Sequence, residues 1–238
     1  IEQVCEDNAW QWLNNQVGLV SQGGTDLDPL FIALSMCQRK LGNDKVRTGF
    51  KEQDISHWSV ADAARVALLI IFSENTSLGM KDILPQAYEA GDEYEREAIL
   101  KGFSFLDANG EQKVLAVDAC RTNVLTTMAA IGMENNYPAR FFNEHEFNQL
   151  VLKSLFLGFS IDRIVGLQRR LNFSMACMCY DFLRERLAAG RLPPESIWLA
   201  LRFEYVEEAC EEFEKFLSYE QIQQRRFVAL SLALQGCP

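Results

Sequence analysis

Histidine is scarce in this chain. Only His57 and His145 occur, in unrelated surroundings. There is no HExxH, and no pair of ExxH motifs for a di-iron bundle. General acid–base work needs a positioned partner, and neither histidine has one indicated. His145 reads as a solvent-facing residue in the first turn of a helix. GxSxG is missing, as is any Cys–His pattern of recognisable context. GxGxxG is missing too, because Gly23-Gly24 is only a turn signal. These absences leave the catalytic set empty, and no metal or cofactor is expected.

Positive charge is also in short supply. There are 23 Lys and Arg against 33 Asp and Glu, a net charge of −10. Phosphate neutralisation needs clustered cations, so no nucleic-acid partner is expected. A polybasic face for anionic lipid is excluded on the same ground. Long apolar runs are lacking. The longest, Val66 to Phe72 (VALLIIF), is far short of the ~20 residues of a membrane-spanning helix. It reads as a buried helix, and no integral membrane segment is expected. No signal-peptide pattern is visible. The chain starts at Ile1 rather than Met, so the expectation is a trimmed or renumbered start with a segment missing before it.

Cysteine is present in odd number: Cys5, Cys37, Cys120, Cys177, Cys179, Cys210 and Cys237. Most lie in apolar helical runs. That suits reduced thiols packed as small hydrophobes in a cytoplasmic protein. Cys177 and Cys179 form CxC, which a helix would set about 200° apart. The four compatible ligands of a structural metal site are not there. Cys120 adjoins Arg121, which could lower its pKa, but a run of Ala, Val and Leu favours a packed thiol.

What the chain does have is helical periodicity almost throughout. Trp10, Leu13, Val17 and Val20 make one stripe. Pro29 opens a second helix through Ile32, Ala33, Met36, Cys37 and Leu41, which Gly42 ends. Ser59-Val60-Ala61-Asp62 reads as a capping box for a helix from Val60 to Glu74. Helices are expected over Lys81 to Ala90 and Glu93 to Leu106, followed by an Asp107-Ala108-Asn109-Gly110 turn. A long helix is expected from Glu111 to Ile131. Asn143 caps Glu144 to Leu157, Ser160 starts Ile161 to Leu171, and Asn172 caps Phe173 to Ala189. Tyr205 to Leu217 and Tyr219 to Gln235 close the chain. The stretch from Gly42 to Trp58 reads as a long loop or short helix. The expectation is an all-α fold of about twelve helices in antiparallel hairpins, one solenoid-like domain over residues 1–238 with degenerate repeats.

Polar residues gather around one predicted joint. Arg121, Thr122 and Asn123 stand near the middle of the expected long helix. A polar loop, Glu134-Asn135-Asn136-Tyr137-Pro138-Ala139-Arg140, leads into a helix that carries Asn148, Gln149 and Lys153 among leucines. Gln149 and Lys153 share a face. Buried polar groups imply a network, a ligand or a partner. One reading is a concave pocket for an anionic or hydroxylated ligand. Its donors would be Arg121, Arg140 and Lys153, with Asn123, Glu134, Asn135, Tyr137, Asn148 and Gln149 around them. The other is a buried network in which Asn123 and Asn148 bond loop carbonyls while Arg140 pairs with Glu134.

Two further features are open to more than one reading. The acidic run Glu207-Glu208, Glu211-Glu212 and Glu214 reads as a solvated helix face or a contact for a basic partner. Phe103, Phe105, Phe141, Phe142, Phe156, Phe159 and Phe173 read as core, or as the walls of a cleft for an apolar metabolite.

The words ACRTNVL (Ala119 to Leu125), ENNYPARFF (Glu134 to Phe142), FNQLVLKSLFLG (Phe147 to Gly158) and RIVGL (Arg163 to Leu167), in this order, resemble the EboA family. The likeness is strongest over residues 93–191. It implies a member of a bacterial gene cluster linked to secondary metabolites, which in cyanobacteria is associated with moving a scytonemin precursor to the periplasm. No reaction and no site residue comes with it. The resulting expectation is a non-enzymatic accessory or scaffold protein. It would meet a small-molecule metabolite and other proteins of the same pathway. The alternative is an enzyme that holds a polar or phosphorylated intermediate through Arg121, Arg140 and Lys153.

Overall fold

The computed structural model describes residues 7–46 and 54–236. The fold is all-α. Among the described residues the β-structure amounts to an isolated antiparallel bridge between Lys45 and Ser59. The chain divides into two compact units, Ile1–Ile131 and Gly132–Pro238. Each has its own core.

The first unit begins with α1 (Asp7–Val20) and α2 (Asp28–Leu41), the latter opened by Pro29 and closed at Gly42. The next helix, α3 (Val60–Asn75), starts at a complete capping box. The Ser59 hydroxyl accepts from the Asp62 N–H, and the Asp62 carboxylate accepts from the Ser59 N–H. Helices α4 (Met80–Ala90), α5 (Glu93–Lys101) and α6 (Phe103–Leu106) follow. Pro85 lies inside α4 and cannot donate to the Lys81 carbonyl one turn back. The Gln112 side-chain amide fills that carbonyl at 3.1 Å. The core forms where α2, α3 and α5 pack together. It contains Leu30, Ala33, Leu34, Ala64, Leu68, Leu69, Ile99 and Leu100.

Two expected helices of this unit are broken. Glu93 to Leu106 is interrupted at Gly102, where an added Cβ would sit 2.4 Å from Cγ2 of Val66. The chain passes so close to α3 there that no side chain fits. The long helix from Glu111 to Ile131 is two helices, α7 (Lys113–Arg121) and α8 (Leu125–Gly132). Thr122 is extended, and its hydroxyl takes the Val124 N–H. A threonine that offers the backbone a local partner competes with the helix ladder. Thr122 and Asn123 therefore lie at a helix end and in a turn, not within a helix.

The second unit contains α9 (Tyr137–Phe141), α10 (Glu144–Phe156), a 3-10 turn (Ile161–Arg163), α11 (Leu167–Arg170) and α12 (Phe173–Ala188). Two more 3-10 segments, Glu195–Ala200 and Glu207–Ala209, precede α13 (Cys210–Leu217) and α14 (Ile222–Leu234). Asn143 and Asn172 cap α10 and α12 as expected. The expected helix from Ile161 to Leu171 is instead a 3-10 turn and a single helical turn. Gly166 between them has φ 81°, and an added Cβ would lie 2.8 Å from the Ala139 Cβ. The final two helices are shorter than their patterns, starting at Cys210 and Ile222. The core here centres on Trp198. It is fully buried with ring centroids 5.0 Å from Phe213 and 4.9 Å from Phe216.

Candidate functional site

The polar loop before α10 is held down by side chains from further along the chain. Glu134 has φ 54°, a left-handed conformation unusual for its type. Its N–H donates to the Arg163 carbonyl at 2.8 Å, and its carboxylate takes two donors from the Arg163 guanidinium at 2.9 and 3.1 Å. That two-pronged grip raises the Arg163 pKa, chiefly through the hydrogen bond to Glu134. Asn135 is buried and its side-chain oxygen accepts from the Tyr137 N–H, an Asx turn that starts α9. Tyr137 is buried against Phe141 and Phe142. Arg140 is exposed and lies over the Phe141 ring.

The strongest anchor of this loop is Arg170. Its guanidinium donates to the carbonyls of Ala139, Phe142 and Asn143, at 2.8, 2.8 and 3.1 Å. The same group lies 4.6 Å from the Phe147 ring centroid. Beside it, Asn148 is 2% exposed. Its amide pairs reciprocally with that of Asn172, at 3.1 and 2.9 Å. Asn172 also donates to the Arg170 carbonyl and caps Met175, so its side chain is fully occupied. Asn148 thus bonds a side chain rather than the loop carbonyls expected of it. Gln149 is exposed and Lys153 half-buried on α10. These seven residues, from Glu134 to Lys153, belong to the second unit.

Arg121 and Asn123 belong to the first unit. The Arg121 side chain is 75% exposed and pairs with Asp118 at 2.7 Å. Asn123 is exposed in the turn between α7 and α8. Arg163, Arg170 and Asn172 were not among the predicted site residues. Asn172 carries a cap signal in the sequence, and the Arg169-Arg170 pair just ahead of it is the one local sign of an anchor there.

A cleft of about 670 Å³ opens elsewhere in the second unit, where the C-terminal ends of α10 and α12 meet the 3-10 segment Glu195–Ala200 and the start of α14. One side is aromatic. Phe156, 75% exposed, stacks at a tilt on Phe182 with centroids 5.8 Å apart, and Phe159 stands beside them. The other side is polar. Gln224 is buried; its side-chain oxygen accepts from Trp198 Nε1 and its amide donates to the Pro193 carbonyl. The Ser196 hydroxyl accepts from the Ile161 N–H. Arg186 is half-buried and gives Nε and Nη2 to the Leu192 carbonyl at 3.1 and 2.8 Å. Of the phenylalanines singled out in the sequence, Phe156 and Phe159 line this cleft, whereas Phe103 and Phe142 are core.

Two of the thiols are held in the protonated form. Burial pushes Cys37 and Cys179 up to about 12. Cys120 is buried as well. Cys5 and Cys237 lie outside the described residues. Glu207, Glu208, Glu211 and Glu214 of the acidic run are exposed, whereas Glu212 is half-buried and accepts from the Tyr180 hydroxyl at 3.4 Å. Among the described residues no helix is long and apolar enough to cross a membrane.

No curated protein and no solved structure matches this chain. The family model described as Metabolite traffic protein EboA matches residues 1–202, and the chain belongs to the EboA family.

Proposed function

We propose that this chain is a non-enzymatic accessory protein of metabolite traffic that holds a small-molecule intermediate in the cleft of its second unit. The observation that carries this reading is the cleft itself. Its volume of about 670 Å³ lies within the ordinary range of small-molecule sites. Aromatic side chains and a few fixed polar groups line it together, the usual division between affinity and orientation in such sites. Family membership supports a metabolite-related role. The finer assignment belongs to the proposal: assembly or export of a secondary metabolite of the scytonemin-precursor kind, from the cytoplasm, with other proteins of the pathway gathered on this scaffold.

The polar residues expected from the sequence divide between two duties in this reading. Glu134, Asn135, Tyr137 and Asn148 hold the loop through their bonds to Arg163, backbone and Asn172. Arg140, Gln149 and Lys153 on the second unit are proposed as polar contacts for a ligand or partner outside the cleft, and Arg121 and Asn123 as such contacts of the first unit by itself.

The test is purification from the native host followed by untargeted mass spectrometry of bound small molecules. A Phe156→Ala, Phe182→Ala double variant serves as control. A metabolite that accompanies the wild-type chain and is lost from the variant is the expected result. An empty wild-type protein would sink the carrier reading. Turnover of a pathway intermediate by the purified protein would replace it with an enzyme in which Arg121, Arg140 and Lys153 hold charge.

A further inference from the structure

We infer that Arg186 is a prepositioned anchor for an oxyanion, and that the cleft takes an apolar-bodied acid, a carboxylate or phosphate on a flat hydrophobic frame. This inference rests on the carrier reading above and adds the chemistry of its ligand. Arg186 lies in the last turn of α12, half-buried, on the cleft wall. Two N–H donors on one edge of its guanidinium, Nε and Nη2, are spent on the Leu192 carbonyl, which fixes the plane of the group. Among the described residues Nη1 makes no hydrogen bond and the guanidinium makes no ion pair. Arginine guanidinium groups match carboxylate and phosphate geometry, and one already held by a carbonyl loses little freedom on binding.

The surroundings favour Arg186 over other charges in the cleft. Glu185, Arg191 and Glu195 are exposed, where water and salt screen them. Arg186 is the less hydrated cation. The Phe156 and Phe182 rings offer a face for a flat apolar body, and Phe156 is 75% exposed although it stacks on Phe182. A large aromatic left open beside a fixed cation matches the two ends of an amphipathic acid.

Calorimetric titration of the full chain with three probes of one shape tests this: 2-naphthoate, 2-naphthyl phosphate and the neutral 2-naphthalenemethanol. The acids are expected to bind about tenfold or more tightly than the alcohol at low salt. The better of the two acids identifies the headgroup. Arg186→Gln is expected to abolish the preference and leave the alcohol unchanged, whereas Phe156→Ala weakens all three. Since Arg186 also closes the turn after α12, the variant could fail to fold. Wild-type titrations at rising salt supply a second readout, because a preference set by charge should shrink with screening, and Arg191→Gln, at the exposed cation of the cleft, should keep the preference. Equal binding of acids and alcohol by the wild type, a preference that survives Arg186→Gln, or no binding of any probe overturns the inference. A neutral metabolite recovered from the native host would overturn it too, while leaving the carrier reading intact.

Discussion

The two units of this chain reach stability by different routes. The first relies on regular helices that lie against one another. Its α2, α3 and α5 bury small and branched side chains, and the backbone groups there are satisfied within the helices. Its side-chain anchors sit at helix ends and on α2: Arg96 donates to the Tyr88 and Glu89 carbonyls, Lys101 pairs with Asp62 at 2.8 Å, and the buried Arg65 spends Nε on the Leu34 carbonyl. The second unit is cut into shorter elements with three 3-10 segments between them. Irregular backbone leaves donors and acceptors without ladder partners, and each must be met or pay desolvation. Long side chains do that work here. Arg170 holds three carbonyls, Gln224 bridges Trp198 and Pro193, and Gln235 joins Phe203 to Leu201. The lesson is that arginine, asparagine and glutamine in the second unit are structural by default. A functional polar group must be sought among those with donors to spare.

Single substitutions can break this contrast. Arg170→Ala is the most damaging, at about 3 kcal/mol, because three carbonyls lose a charged donor at once. Urea denaturation would measure it. Arg170→Lys should recover little of the loss, since one ammonium cannot reproduce the fork. A cost under about 1 kcal/mol would mean that water replaces the guanidinium freely, and the second unit would lose its distinction.

Gly102→Ala probes the first unit by packing alone. The new methyl would meet the Val66 Cγ2 at 2.4 Å, so the neighbour or the backbone must move. The expected loss is about 2 kcal/mol. A Gly102→Ala, Val66→Ala double variant should recover part of it, because the two changes share one contact. Failure of that rescue would place the strain elsewhere.

The Asn148–Asn172 pair sharpens the comparison further. Asn148→Ala leaves a partner amide short of one donor and one acceptor, at a cost of about 1–2 kcal/mol. The Asn148→Ala, Asn172→Ala double variant should cost less than the sum of the two single losses. Additive losses in a double-mutant cycle would deny that the amides act as a unit. Retained ligand binding with reduced stability is the outcome expected for both single variants.

Smallest at neutral pH are the effects of the thiols, one in each unit. Cys37 and Cys179 are raised from an ordinary 9.0 to about 12 by burial. A raised pKa in the folded state means that folding keeps the proton. The stabilisation is complete below 9 and is lost as pH climbs from there towards 12. Stability followed by urea denaturation across that range should therefore fall, and Cys37→Ala or Cys179→Ala should flatten the fall. Thiol labelling at pH 8 should leave both residues untouched in the native chain. Rapid labelling of either would contradict its burial.

Much of the local structure was legible in the sequence because its causes are local. Ser59 with Asp62 and Asn143 with Glu146 are spaced to satisfy the first free N–H groups of a helix, and both capping boxes formed. Pro29, Gly42, Gly158 and Gly190 stand where helices start or stop. Breaks inside predicted helices were not legible. Two of them fall at a glycine where an added Cβ would meet a residue remote in sequence, Val66 for Gly102 and Ala139 for Gly166. Thr122 was a weaker miss, since a threonine that can take the next-but-one N–H is visible in principle.

The polar joint shows the same divide. Of its residues Asn135, Tyr137 and Asn148 are buried, whereas Arg121, Asn123, Arg140 and Gln149 are exposed. The groups that hold Glu134, the Ala139 carbonyl and Asn148 are Arg163, Arg170 and Asn172, from segments some 24 to 31 residues further on, where no periodicity points back. The cleft was less visible still, since its walls come from the ends of several helices.

Taken alone, the amino-acid order determined the all-α character, most helix starts and stops, and family membership through contiguous words between Ala119 and Leu167. Such features follow from spacing along one chain segment, where 3.6 residues per turn and the first unsatisfied N–H groups set the rules. Only tertiary structure decided where helices break, which amides meet, and which arginine keeps a spare donor. Those outcomes depend on distances between residues remote in sequence, fixed when the core closes and every buried polar group must find a partner.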